Sequence, residues 1–244
     1  MIKSIFLSAI FFSLILFCAC SFETEEKRIA ETKTITDPEF LALNDTLVKL
    51  TDLEPCDILV KPNNNLLPGT SWVNGGRGFG HAVMVIEGGK DTNTINLLRK
   101  VKIFESQARR VPESYELRLA PGFQEGDDYR FANTTFGLQN QGFRYRLRLN
   151  LTRSQQDSII LFVLAQDNDV SNWRSLKQVN EHLNSEAIQD KKIWYCSLLI
   201  WEAYFKVLGI DLDPNGGIMV YPNDLVSSRY FDNDKKYPQK RVRF

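Results

Sequence analysis

Read for its hydrophobic pattern, the chain opens on one apolar block and then breaks into short units with different periods. Ile5 to Phe17 (IFLSAIFFSLILF) is almost wholly apolar and follows Lys3. A run of this size is too short to span a bilayer as a helix and matches the h-region of a signal peptide. Ser21 to Asp37 is charged and has no sustained apolar face, which reads as a tether. From Pro38 to Asp52, Phe40, Leu41, Leu43, Leu47 and Leu50 form an apolar stripe that predicts a short helix.

Strand patterns come next. Asp57-Ile58-Leu59-Val60 is a short apolar run closed by Pro62 and an Asn-rich turn. His81 to Ile86 (HAVMVI) is continuous and β-branched, as in a strand covered on both faces. The Gly-rich loop SWVNGGRGFG leads directly into it. Val101 to Ser106 alternates, and so does Arg144 to Leu149 (RYRLRL), whose arginines share one face of an expected two-faced antiparallel strand. Glu113 to Gln141 looks irregular and is expected to be a lid or hairpin insertion.

Helical periods dominate afterwards. Thr152 can cap a helix through SQQDSIILFVLAQ, with Gln155 completing a capping box. A polar helix is expected from Ser171 through His182. Trp194-Tyr195-Cys196 then opens SLLIWEAYFKVLG, apolar nearly all round and stopped by Gly209, as a buried helix would be. Strands first and helices later predict an α+β fold.

Composition narrows the function classes. The 244 residues hold 30 Lys+Arg against 30 Asp+Glu, so the basic face of a nucleic-acid binder is not expected. Four Cys are too few for a disulfide scaffold of this length, and there are two His. Two of the Cys belong to export. Leu16-Phe17-Cys18-Ala19-Cys20 resembles a bacterial lipobox, in which the Cys after a small residue becomes the lipidated N-terminus. Cys20 is the expected lipidation site and Cys18 the alternative; an ordinary secretory cut after Ala19 is the plainer reading. The organisation is therefore a lipoprotein signal peptide over 1–19, a tether over 20–37 and one domain over 38–244. Two or more acyl chains anchor stably where one does not. The expected location is the cell envelope, lipid-anchored to a membrane.

The remaining thiols are Cys56 and Cys196, which could pair as a disulfide in an exported protein. Cys196 stands at the start of the buried helix, where the dipole and unpaired N–H groups favour a thiolate and could hold an oxyanion. A nucleophilic Cys needs a base. His81 heads an apolar strand after a Gly-rich loop, whereas His182 lies on a polar helical face and reads as solvated. In VKIFES, Val101, Ile103 and Glu105 share one face, and a carboxylate on a core-facing row needs a partner such as His81. The bland alternatives are core packing for Cys196 and a structural role for Cys56. Outside the signal region no Cys or His pair has metal-ligand spacing, so neither metal nor cofactor is expected.

Taken in order, Asp57-Ile58-Leu59, Gly80-His81-Ala82-Val83-Met84-Val85, Glu105, Trp194-Tyr195-Cys196-Ser197 and Tyr221-Pro222-Asn223-Asp224-Leu225 resemble one family. They are similar to the YaeF/YiiX-like enzymes, circularly permuted papain-like cysteine hydrolases related to the NlpC peptidases. The resemblance spans roughly residues 54 to 231, with His before Cys as the permuted order demands. It departs at Cys56, where Gly usually precedes the Asp, and at Leu198, where Glu usually follows Cys-Ser. It implies an antiparallel sheet packed against helices, one of which carries the nucleophile. It further implies Cys196 as nucleophile, His81 as base and Glu105 as its orienter. The expected substrate is a peptide or amide, including peptidoglycan stem peptides, cleaved by a lipoprotein of the outer membrane facing the periplasm. The runner-up is a lipid acyl hydrolase or acyltransferase of the lecithin–retinol acyltransferase-like type. A non-catalytic lipoprotein binding module is the third reading.

Overall fold

A computed structural model describes residues 46–62, 79–110, 113–122, 144–167, 169–171, 175–177, 193–213 and 219–244. In chain order they form β1 (Thr46–Leu47), β2 (Asp52–Leu53), β3 (Ile58–Pro62), β4 (Phe79–Glu87), β5 (Gly89–Lys90) and α1 (Thr94–Lys100). Next come β6 (Lys102–Arg110), β7 (Glu113–Pro121), β8 (Tyr145–Leu147), α2 (Arg153–Leu164), β9 (Val170–Ser171) and β10 (Ile193–Trp194). α3 (Cys196–Leu208), α4 (Pro222–Ser227), a 3-10 turn (Arg229–Phe231) and β11 (Arg241–Arg243) complete it.

The main sheet has the order β1-β11-β8-β3-β4-β6-β7. Its pairs are antiparallel except β1 with β11, which is parallel. The fold is thus a mixed α/β arrangement built on an antiparallel sheet. Strand alternation divides the core. Ile58, Val60, Ala82, Met84 and Phe104 pack with Leu199, Trp201 and Tyr204 of α3, whereas Leu59, Val83, Val85 and Ile103 pack with Leu97 and Leu98 of α1. Both faces of β3, β4 and β6 are therefore covered, which explains the unbroken apolar run in β4.

The helix signals act locally. Thr152 accepts from the Gln155 N–H while the Gln155 side chain accepts from the Thr152 N–H, so α2 begins in a full capping box. α3 stops at Gly209, whose φ of 67° is left-handed and carries no Cβ penalty.

Several expectations fail where pairing over long distances wins. The helix over 38–52 is absent from its described part. Thr46–Leu47 instead pairs with Val242–Arg243, and Leu50 and Leu53 bury into the α1-side cluster. Of the lid or hairpin expected from Glu113, the described part is the second arm of a hairpin: the nine-residue strand β7 pairs antiparallel with β6 along its length. Tyr115, Leu117 and Leu119 do alternate with polar residues; the acidic and arginine residues between them masked the period. Ser171 lies in β9 rather than starting a helix, and α1, capped by Asn93, has no counterpart in the sequence reading. β8 is buried on both of its faces, with Tyr145 and Leu147 on one and Arg146 on the other. The remaining expectations for 1–45, the loop at 71–78, 123–143 and His182 lie outside the described residues.

Arg148, just past β8, fastens this sheet to the start of the domain. Its Nε and Nη2 donate to the two carboxylate oxygens of Asp57 at 2.7 and 2.6 Å, and its Nη1 reaches Asp52 and Glu54 at 2.9 Å each. Asp57 is fully buried and also accepts from the Glu54 N–H at 2.8 Å. Removing the cation strands a buried carboxylate. Arg148→Met should therefore cost about 3–5 kcal/mol in urea unfolding at neutral pH; a loss below about 1 kcal/mol, as for an exposed pair, would contradict this.

Candidate active site

Cys196 is the first residue of α3, and the preceding Tyr195 is extended (φ −116°, ψ 164°) with no side chain capping the helix. The first-turn N–H groups and the positive end of the dipole are thus left for a nearby anion. Two hydrogen bonds clamp this helix start to the segment before α4. Tyr195 Oη accepts from the Val220 N–H at 2.9 Å, and Ser197 Oγ donates to the Val220 carbonyl at 2.7 Å. A third ties it to the sheet: Ser106 Oγ donates to the Trp194 carbonyl at 2.8 Å. Ser106 follows Glu105 on β6, so the strand carrying the carboxylate is bonded to the segment carrying the thiol.

His81 lies near the start of β4, opposite Lys61 of β3. Its Nε2 is 2.6 Å from Glu105 Oε2. The Cys196 thiol faces the same imidazole and the Ala82 backbone N–H, close enough for each to act on its charge. With Nε2 occupied by Glu105, Nδ1 is the ring nitrogen left for sulfur. Glu105 is 1% exposed, while His81 and Cys196 keep 9% and 7%. All three are buried, the carboxylate most completely.

Burial and pairing oppose each other here, and pairing wins. Burial disfavours the imidazolium, but hydrogen bonds and charges from Cys196 and Glu105 push the His81 pKa up to about 9. Burial likewise disfavours the thiolate, yet the facing His81 imidazolium and the Ala82 N–H hold the Cys196 pKa below its ordinary value. Glu105 is also lowered, against its burial, by His81 and Arg118. The favoured state is a thiolate–imidazolium pair backed by a carboxylate.

The structure thus brings together Cys196, His81 and Glu105, the three residues singled out from sequence. It adds two others. Arg118 on β7, the cross-strand partner of Glu105, donates from Nε to Glu105 Oε1 at 2.7 Å. Lys61 is buried, and burial brings its pKa down to about 8 despite attraction from Glu105 and Cys196. Arg118 was hidden in the stretch read as irregular. The period of SYELRL could have revealed that strand, but not the partner of its arginine. Lys61 carried a clearer signal, since a lysine inside an apolar strand facing a His-headed strand is unusual.

Cys56 sits apart from this cluster, and both it and Cys196 are free thiols, so the disulfide alternative does not hold. Its φ of 69° lies in the left-handed region, which accounts for the glycine expected at that position. Burial, then the Asp57 charge, push its thiol up to about 12, which leaves it unreactive. Cys18, Cys20 and His182 fall outside the described residues. Among the described residues, no group of three or more His, Cys, Asp or Glu side chains is placed to hold a metal ion, and no helix is long and apolar enough to cross a membrane.

No protein-family model matches the chain. It is 54% identical over 35 residues to YycO of Bacillus subtilis, a protein described as uncharacterized; the match covers 14% of this chain and 14% of that relative's length. Among solved structures it is similar to the metalloprotein YiiX of Escherichia coli O157:H7, with a TM-score of 0.42 and 14% identity, covering 72% of this chain and 93% of YiiX.

Proposed function

We propose that the chain is a cysteine hydrolase of the permuted papain-like type that cleaves amide bonds. The observation that carries this reading is the position of His81, held between the Cys196 thiol and the Glu105 carboxylate. The Cys196 thiolate attacks the substrate carbonyl carbon, and the carbonyl π electrons move onto oxygen. The resulting oxyanion is stabilised by the free N–H groups at the start of α3. As the C–N bond breaks, the His81 imidazolium gives its proton to the departing nitrogen, leaving a thioester on Cys196. Water, deprotonated by the now neutral His81, then attacks the thioester and releases the acid. Glu105 keeps the imidazole in the required orientation and supports its cationic form.

The substrate in this reading is a peptide amide, such as a peptidoglycan stem peptide. The export signal and the lipid anchor at Cys20 would hold the enzyme on the outer membrane facing the periplasm, beside such material. Purified protein should release new amino termini from muropeptides, with Cys196→Ala as the inactive control. Deacylation of lipid esters without any amide cleavage would instead favour the acyl hydrolase reading. Inertness toward both, with Cys196 resisting iodoacetamide in the folded protein, would leave a binding module.

A further inference from the structure

Resting on the hydrolase reading above, we infer that Arg118 is a fourth member of the site, a positioning residue that sets the Glu105 carboxylate for His81. The geometry divides that carboxylate cleanly. Oε2 faces His81 Nε2 at 2.6 Å and Oε1 accepts from Arg118 Nε at 2.7 Å. With each oxygen engaged by a different partner, rotation of the carboxylate would break two charge-assisted hydrogen bonds at once.

The contact is also built into the sheet. Glu105 and Arg118 are direct cross-strand partners in the long β6–β7 ladder, so their approach is set by backbone register. Arg118 reaches a fully enclosed side chain while its own is 15% exposed, so the charge is delivered from the rim of the sheet to its interior. The titratable groups facing this cluster come from every adjoining element: Lys61 of β3, His81 of β4, Arg118 of β7, Arg144 before β8 and Cys196 of α3.

Without Arg118, Glu105 would lose one of the cations that offset its burial and the donor that fixes Oε1, so its charged form would be less favoured and its support of the imidazolium weaker. The imidazolium facing the thiolate would be less well supported, and the Cys196 pKa would climb toward that of an ordinary thiol. Arg118 acts through Glu105 and His81 and touches no reacting atom.

The test follows alkylation of Cys196 by iodoacetamide against pH, with the labelled peptide identified by mass spectrometry, and turnover of p-nitrophenyl acetate. In Arg118→Gln the acid limb of the alkylation profile should move up by about one unit, lowering the rate on that limb about tenfold. Arg118→Lys restores the charge and should bring the limb back. Its single ammonium lacks the planar fork of the guanidinium, so turnover of the ester should stay at least about threefold low. A limb that stays in place or moves down in folded Arg118→Gln overturns the inference. Should that variant not fold, Arg118→Lys decides alone, and wild-type turnover there overturns it. The hydrolase reading fails separately: a wild-type Cys196 that alkylates like an ordinary thiol removes it before any variant is compared.

Discussion

Replacing Cys196 by Ala eliminates turnover of any substrate the wild-type protein cleaves, by on the order of 10⁵-fold or more, because among the described residues no other nucleophile is placed beside His81 to form the acyl intermediate. The neighbouring hydroxyl cannot substitute. Ser197 Oγ is committed to the Val220 carbonyl, and the second thiol, Cys56, is held protonated by its burial. The substitution removes a small side chain at the end of a helix whose core contacts come from Leu198, Leu199, Ile200 and Trp201, so the fold is expected to survive. Residual activity within about tenfold of wild type, in protein with an unchanged melting temperature, would assign the chemistry to other residues.

The second large effect concerns His81, and it is visible without a substrate. In the wild-type protein, reactivity should rise as pH climbs through the lowered Cys196 pKa and the thiolate forms. Turnover should fall again as His81 loses its proton near about 9. Between those limits the pair is fully formed. His81→Gln removes the cation that stabilises the thiolate, so Cys196 reverts to an ordinary or burial-raised thiol. At pH 6.5 a thiol with a pKa near 8.5 is about 1% ionised, so alkylation should drop about 100-fold. The same variant should lose its bell-shaped pH profile altogether. Alkylation at pH 6.5 that survives in His81→Gln would show that the helix start alone lowers the thiol, and the base would have to be sought elsewhere.

The parts of this protein that could be read ahead of the structure are those whose causes are local. Thr152 and Gln155 lie three residues apart, and a capping box needs nothing else. Gly209 ends α3 because only a residue tolerant of positive φ closes a helix in that way. Val83 and Val85, alternating with Ala82 and Met84, announce a strand with two apolar faces. The parity of Ile103 and Glu105 put the carboxylate on a buried row.

What could not be read depends on which strand lies beside which. β1 and β11 pair in parallel although Thr46 and Val242 stand at opposite ends of the domain. Neither carries a mark of the other, so Leu47 and Leu50 passed for a helical stripe. β7 was missed because its apolar residues are separated by Glu116 and Arg118, and the second of these proved to be a partner of Glu105. Arg144, Arg146 and Arg148 could be placed on one face of a strand, but a period of two shows that residues share a face and not what covers it. Arg146 is in fact 2% exposed.

By itself, then, the sequence decided the inventory: one His at the head of an apolar strand, one Cys at the head of an apolar helix, and one Glu on a core-facing row. It also decided the local elements that carry them, because capping, chain stops and side-chain periods act over a few residues. The tertiary structure alone decided that these elements meet, and with what charges around them. Strand order and register bring Glu105 to 2.6 Å from His81 and Arg118 to 2.7 Å from Glu105. Burial then makes each of those contacts matter, since a charge shielded from water must be balanced by its neighbours. Both are properties of packing between segments far apart in the chain, and no local pattern encodes them.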